Sequence, residues 1–225
     1  MDVARDLAQA GADQLETVWA EQQTAGRVRR GRAWQSPIGA GLYFTTILTS
    51  SLEIAQLGLL PLAVGVALCD AIHLEVGLRA RLKWPNDVLT VDGRKLAGIL
   101  LERDAASGKV LIGIGINVEP VDHPGVQAAA LESFGTVRRE HLLEQILIGV
   151  NVLHDRLERG EFQPVLEAWR SHAETLGREV RIQHADGSSL TGFAEDVDAT
   201  GALLVRVENC LERVSSGEVS LRHTD

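Results

Sequence analysis

A chain of 225 residues, 45% apolar but only 4% aromatic, holds one large domain, or a large and a small one, on an aliphatic core, which excludes intrinsic disorder. Its 22 Lys and Arg against 31 Asp and Glu give a formal charge of −9, which opposes general nucleic-acid affinity because that needs a basic surface. Cys69 and Cys210 have no metal-type spacing, residues 1–10 do not read as a secretory signal, and the apolar stretch Leu57–Cys69 is too short to span a bilayer. A soluble cytoplasmic protein without a metal site is expected.

Residues 2–10 read as a short helix with Val3 and Leu7 on one side, ended by Gly11. Residues 15–21 read as a strand. The segment 22–41 carries four glycines, Pro37 and four arginines, so a long loop is expected there. Leu42–Thr49 is rich in β-branched and aromatic residues and reads as a strand. Pro61–Gly77 reads as a helix with Leu62, Val66 and Cys69 on one face. Strands follow near 80–84, 87–91, 95–102 and 109–118, with Asp92-Gly93 as a hairpin turn. A helix over about 137–159 has an apolar stripe through Leu143, Ile146, Leu147, Val150, Leu153 and Leu157, and a shorter helix covers about 161–175. Beyond Gly177 the period becomes two: Val180/Ile182 and Leu203/Val205/Val207 alternate with polar residues between turn signals, as in a small all-β unit of four or five strands.

Three segments carry chemistry. The first, Gln23 to Trp34, places Arg27, Arg29, Arg30 and Arg32 within six residues of an acidic chain. Gly26 and Gly31 let the backbone approach a ligand, and arginine forks onto carboxylate or phosphate. Taken alone, the run reads equally as a solvated basic turn. The second is Lys83-Trp84-Pro85-Asn86-Asp87, a lysine held between a strand end and a turn. A fixed ammonium stabilises charge on a carboxylate or phosphate, although an ordinary surface lysine is the common case. The third runs from Gly93-Arg94-Lys95 to Asn117, with Gly98, Gly113 and Gly115 inside strand patterns. Glycine in a strand marks either close approach of a ligand or relief of crowding. Asn117, after an apolar run, needs a partner for its amide. No histidine triad, Gly-x-Ser-x-Gly elbow or Walker-type loop appears; His73, His154 and His172 fall in helix patterns and read as structural.

In this order the three segments resemble the catalytic domain of biotin protein ligases, which join biotin to a carrier lysine through biotinyl-AMP, and the resemblance covers nearly the whole chain. It implies an α+β fold: a mixed, largely antiparallel sheet backed by helices over residues 1–176, and a small all-β barrel of the Src-homology-3-like kind over 177–225. It implies that Lys83 and Arg29 are catalytic, with Lys83 holding biotin's carboxylate and the α-phosphate. Gln23, Gly26, Arg27 and Gly98 then line the biotin site. Arg29, Arg32, Trp34, Asn86, Asp87, Lys95 and Asn117 face the nucleotide, Trp34 stacking on adenine. ATP with Mg²⁺ is the implied co-substrate, and a biotin carboxyl carrier protein the implied acceptor. No DNA or membrane partner is expected, and a homodimer is left open.

Two departures stand out. The family's loop carries glycine where this chain has Val28, and a β-branched residue there resists a positive φ. The family also has a strand ending in Ser-Thr, in contact with biotin's ureido ring, just ahead of the helix that here opens at Asp2. The 225 residues hold no amino-terminal DNA-binding module of the kind found in repressor-type ligases. Two other readings are a lipoate or octanoate transferase on the related fold and a non-catalytic biotin- or nucleotide-binding homologue.

Overall fold

The computed structural model describes residues 1–24, 26, 36–121, 127–184 and 186–221. Helix α1 (Asp2–Gln9) turns Ala4 and Ala8 inward, one helical turn apart. Six strands follow: β1 (Thr17–Ala20), β2 (Gly41–Leu48), β3 (Arg81–Lys83), β4 (Asp87–Leu89), β5 (Lys95–Arg103) and β6 (Val110–Asn117). They form one sheet in the order β1-β2-β6-β5-β4-β3. Each pairing is antiparallel; parallel contacts occur only as the isolated bridges Leu82–Ala173 and Lys95–Ala128 among the described residues.

The two faces of the sheet differ because side chains alternate along a strand. On the back, Leu42, Phe44, Ile99, Ile112, Ile114 and Ile116 are buried. They pack with helices α2 (Leu59–Val76), α3 (Arg139–Glu158) and α4 (Phe162–His172) in one core. Helix α2 is apolar on all sides, and twelve of its residues are buried, as a helix enclosed between a sheet and two other helices requires. Read through to Val76, the apolar run Ile54–Val76 has 23 residues, so by length and composition it is long enough to cross a membrane. The expectation drawn from the shorter stretch is corrected on that point. The structure assigns the run to the core instead, with 67% of its most apolar window buried. Close helix contact depends on small residues here: a Cβ on Gly149 of α3 would lie 3.0 Å from the Cβ of Ala67 on α2.

After α4 the chain forms a second antiparallel sheet from β7 (Arg178–Gln183), β8 (Ser189–Val197), β9 (Leu203–Val207), β10 (Cys210–Val214) and β11 (Glu218–Leu221), in the order β10-β9-β8-β7-β11. Consecutive strands β10 and β11 lie at opposite edges, yet only residues 215–217 join them. So short a link requires the sheet to curl, and Gly217 permits it: a Cβ there would sit 2.5 Å from Ile182 Cγ2. Val180, Ile182, Val205 and Val219 point inward and merge with the core of the first sheet.

Candidate active site

Cross-strand partners point to the same face. The registers Ala20–Tyr43, Tyr43–Gly115, Gly115–Gly98, Gly98–Asp87 and Asp87–Lys83 therefore form one transverse row across all six strands on the front face. The next row contains Thr45, Gly113 and Leu100. Three glycines thus leave adjacent backbone of β5 and β6 without side chains. Between Tyr43 and Asp87 the row crosses three inter-strand spacings, about 14 Å, enough for a small flat molecule. Helix α1 covers the far end of this face, where Ala4 and Ala8 pack on Ile47 and Leu111. Beside it the Met1 side chain lies over Gly113, with Sδ 3.2 Å from where a Cβ would be.

The near end of the strip is charged. Lys83 closes β3 and Asp87 opens β4, joined by the turn Trp84-Pro85-Asn86 with a cis Trp84–Pro85 bond. Lys83 Nζ lies 3.5 Å from Asp87 Oδ2, and Lys95 Nζ lies 2.6 Å from Asp87 Oδ1. A bulge between Val88 and Leu89 shifts the register in which β4 meets Lys95. One carboxylate thus stands between two ammonium groups, a concentration of charge at the end of the bare strip. The three side chains are only 16–22% exposed, so water screens this charge less than it would on an open surface. The arrangement suits a flat acid lying on the strip with its anionic group at Lys83.

Two asparagines fasten the strands beneath. Asn86 Nδ2 donates to the carbonyl of Ile99 at 2.7 Å. Asn117, 3% exposed, donates through Nδ2 to the carbonyls of Lys95 and Ala129, each at 3.2 Å. Both N–H groups of Asn117 are used in this way, so any contact of its side chain with a nucleotide falls to Oδ1, whereas the Asn86 amide has a second N–H as well as Oδ1. Tyr43 borders the strip on the other side, and Gly41 makes room for it, since a Cβ there would sit 2.4 Å from the ring. Burial pushes the Tyr43 hydroxyl pKa up, with Arg139 opposing and Glu119 adding to the shift. Gln23 Oε1 accepts a 3.0 Å bond from the Ser36 hydroxyl, which brings the two ends of the arginine-rich segment together. Gly26 is half-buried; Arg27, Val28, Arg29, Arg32 and Trp34 lie outside the described residues.

The structure thus gathers Lys83, Asp87, Lys95 and Gly98 at one end of a bare strip, with Gln23 and Gly26 following β1 in the chain. Sequence reasoning missed Tyr43, whose only signal was an aromatic opposite strand glycines. It also missed the partners of Trp84: the indole N–H donates to the carbonyl of Gly201 at 3.0 Å and the backbone N–H to the Thr175 hydroxyl at 2.8 Å. A buried indole needs an acceptor, but nothing local in sequence names it. A separate groove of about 700 Å³ between β1 and α3 is lined by Leu15, Trp19, Leu143, Leu147, Glu140 and Glu144, among others, and among the described residues no cation lines it to receive an acid.

Comparison with known proteins bears on this geometry. Residues 2–119 match the model of the biotin/lipoate A/B protein ligase family, and residues 175–222 that of the biotin protein ligase C-terminal domain. The chain is 36% identical over 206 residues to a biotin–[acetyl-CoA-carboxylase] ligase of Paracoccus denitrificans, covering 84% of this chain and 83% of that one. It is 30% identical over 228 residues to the bifunctional ligase/repressor BirA of Bacillus subtilis, covering 97% of this chain and 70% of the relative. Among solved structures, a biotin protein ligase from Aquifex aeolicus in complex with biotin and ATP aligns with a TM-score of 0.83 at 29% identity, covering 97% of this chain and 94% of that one.

Proposed function

The chain belongs to the biotin/lipoate A/B protein ligase family, and from that premise we propose that it attaches biotin to a carrier-protein lysine through biotinyl-AMP. The observation that carries the reading is the Lys83 ammonium, held by Asp87 at the end of a glycine-bared strip of sheet. In the first step an oxygen of biotin's carboxylate attacks the α-phosphorus of ATP. A new carboxyl–phosphate bond forms, and the bond to the leaving oxygen breaks to release pyrophosphate. Lys83 stabilises the negative charge shared by the carboxylate and the α-phosphate, and Arg29 acts with it as a second catalytic cation. Mg²⁺ enters with ATP as part of the substrate and offsets phosphate charge. In the second step the neutral amine of the acceptor lysine attacks the acyl carbon of the mixed anhydride, AMP leaves, and the amine loses a proton to give an amide.

Gly98 provides the flat floor for biotin, with Gln23, Gly26 and Arg27 at its side. A side chain with both donor and acceptor, such as Gln23, complements a ureido group. Arg32, Trp34, Asn86, Asp87, Lys95 and Asn117 are assigned to the nucleotide. Residues 1–176 form the catalytic unit, and residues 177–225 the small β unit. The acceptor is a biotin carboxyl carrier protein, and the compartment is the cytoplasm. Incorporation of labelled pyrophosphate into ATP tests the reading, with biotin, lipoate and octanoate supplied in separate arms. Exchange that depends on biotin alone is expected. Exchange driven equally by lipoate or octanoate, or by no acid at all, would refute the assignment.

A further inference from the structure

We infer that Trp84 and Thr175 are positioning residues for adenylate formation, because they fix the turn that follows Lys83, through Thr175 in the segment leaving α4 and through Gly201 of the C-terminal unit. This rests on the reading of Lys83 as the catalytic ammonium. Trp84 and Thr175 are 1% and 0% exposed. Trp84 follows Lys83 directly and makes two hydrogen bonds to residues beyond α4, at 2.8 Å to the Thr175 hydroxyl and 3.0 Å to the carbonyl of Gly201. Burial alone would be met by any large apolar side chain. An N–H aimed at one turn carbonyl fixes direction as well.

The acceptor turn between β8 and β9 is held firmly. Asp198 Oδ1 accepts from the backbone N–H groups of Thr200 at 2.8 Å and Ala202 at 3.0 Å, and from the Thr200 hydroxyl at 2.7 Å. Its Oδ2 pairs with Arg213 Nε at 2.6 Å. The turn also meets the start of α2 backbone to backbone: a Cβ on Gly201 would lie 2.8 Å from the Gly58 carbonyl oxygen, and a Cβ on Gly58 would lie 2.8 Å from that of Thr200. Nearer the site, the N–H of Glu174 donates to the carbonyl of Leu82 at 2.8 Å, so residues 173–175 run beside β3. The opposite end of the turn is tied to β5 through Asn86 and Ile99. The turn is therefore clamped from two sides, and one clamp belongs to the C-terminal unit. Loss of that clamp moves the Cα of Lys83 while leaving its side chain intact.

The test uses biotin-dependent pyrophosphate exchange on the full chain with Trp84→Phe, Thr175→Val and Thr175→Ser, each alone and combined with Lys83→Ala. Trp84→Phe and Thr175→Val should each lower kcat about tenfold, since a misplacement of about 1 Å costs up to about 10²-fold. The KM for biotin should shift much less. Thr175→Ser, which keeps the hydroxyl, should recover most of the rate. In the Lys83→Ala background neither change should lower the rate further, because no ammonium is left to misplace. Full-sized losses in that background, or parent rates in both single variants, would overturn the tie. Should Trp84→Phe fail to fold, the Thr175→Val and Thr175→Ser pair decides the question. A parent without biotin-dependent exchange overturns the function and the tie together; an active parent with additive losses overturns the tie alone.

Discussion

Replacing Lys83 with alanine separates a catalytic ammonium from an ordinary turn lysine, because the structure makes its effects on rate and stability differ in size. Deleting one preorganised charge stabiliser typically costs about 10²- to 10³-fold in rate, or roughly 3–4 kcal/mol of transition-state stabilisation. The effect on folding should be far smaller. The weaker of the two contacts of Asp87 is lost, at 3.5 Å, while the 2.6 Å pair with Lys95 remains, so no uncompensated charge is left behind. The Lys83 side chain is 22% exposed, and a pair so placed contributes about 1 kcal/mol or less. For a chain of this length that corresponds to a Tm change of no more than about 4 °C. Single-turnover formation of biotinyl-AMP gives the rate, and calorimetry on the same preparation gives Tm. A rate within threefold of the parent would reduce Lys83 to a turn residue. A fall in Tm beyond about 10 °C would show that the side chain supports the fold.

Two further outcomes follow from contacts outside the strip. Burial raises the pKa of Glu75, but the backbone N–H of Arg138, the His141 ring and the Arg138 guanidinium outweigh it and bring the value down from 4.5 to about 2. A depressed folded-state pKa gives stability that is present above pH 4.5 and lost as pH falls towards 2, so Glu75→Gln should flatten that acid limb in urea unfolding at pH 3 and 7; identical pH dependence in parent and variant would refute the link. Gly201→Ala forces a Cβ onto a backbone at φ +82 and against the Gly58 carbonyl, whereas Gly93 at φ +84 has nothing within 4 Å. Left-handed strain accounts for about 1–2 kcal/mol in both, and overpacking adds about 1–3 kcal/mol in Gly201→Ala alone. Equal Tm changes for Gly201→Ala and Gly93→Ala would show that the two units do not meet there.

Much of this architecture was legible because its signals are local. The β-branched and aromatic content of Leu42–Thr49 gave β2, and strands were expected where β5 and β6 lie; the period-two runs Val180/Ile182 and Leu203/Val205/Val207 gave β7 and β9 in a unit of four or five strands; Asp92-Gly93 gave a hairpin turn; and the stripe from Leu143 to Leu157 gave α3. The boundaries that failed are those set by distant contacts. The helix expected to reach 175 ends at His172, because residues 173–175 leave it to pair with Leu82 and hold Trp84. Of the site, Lys83, Asp87, Lys95 and Gly98 were nameable from their motifs, and short hairpin connections suffice to bring them together. The bond from Trp84 to Gly201 spans 117 positions, and no pattern in either segment encodes the other. The arginines and Trp34 remain motif-based expectations, outside the described residues.

The glycine row has a consequence for how this protein is interrogated. Alanine scanning searches by removal: it finds residues whose atoms matter by taking those atoms away. At Gly98 and Gly115, side by side in one row, the useful property is that the atoms are already missing, so a truncation survey passes over the floor of the strip and reports only its charged rim. Such a floor becomes visible only to a survey that adds bulk. Enlarging substitutions at these two positions would measure the room above the strip one methyl group at a time, whereas at Gly113 the added atoms would meet Met1 first.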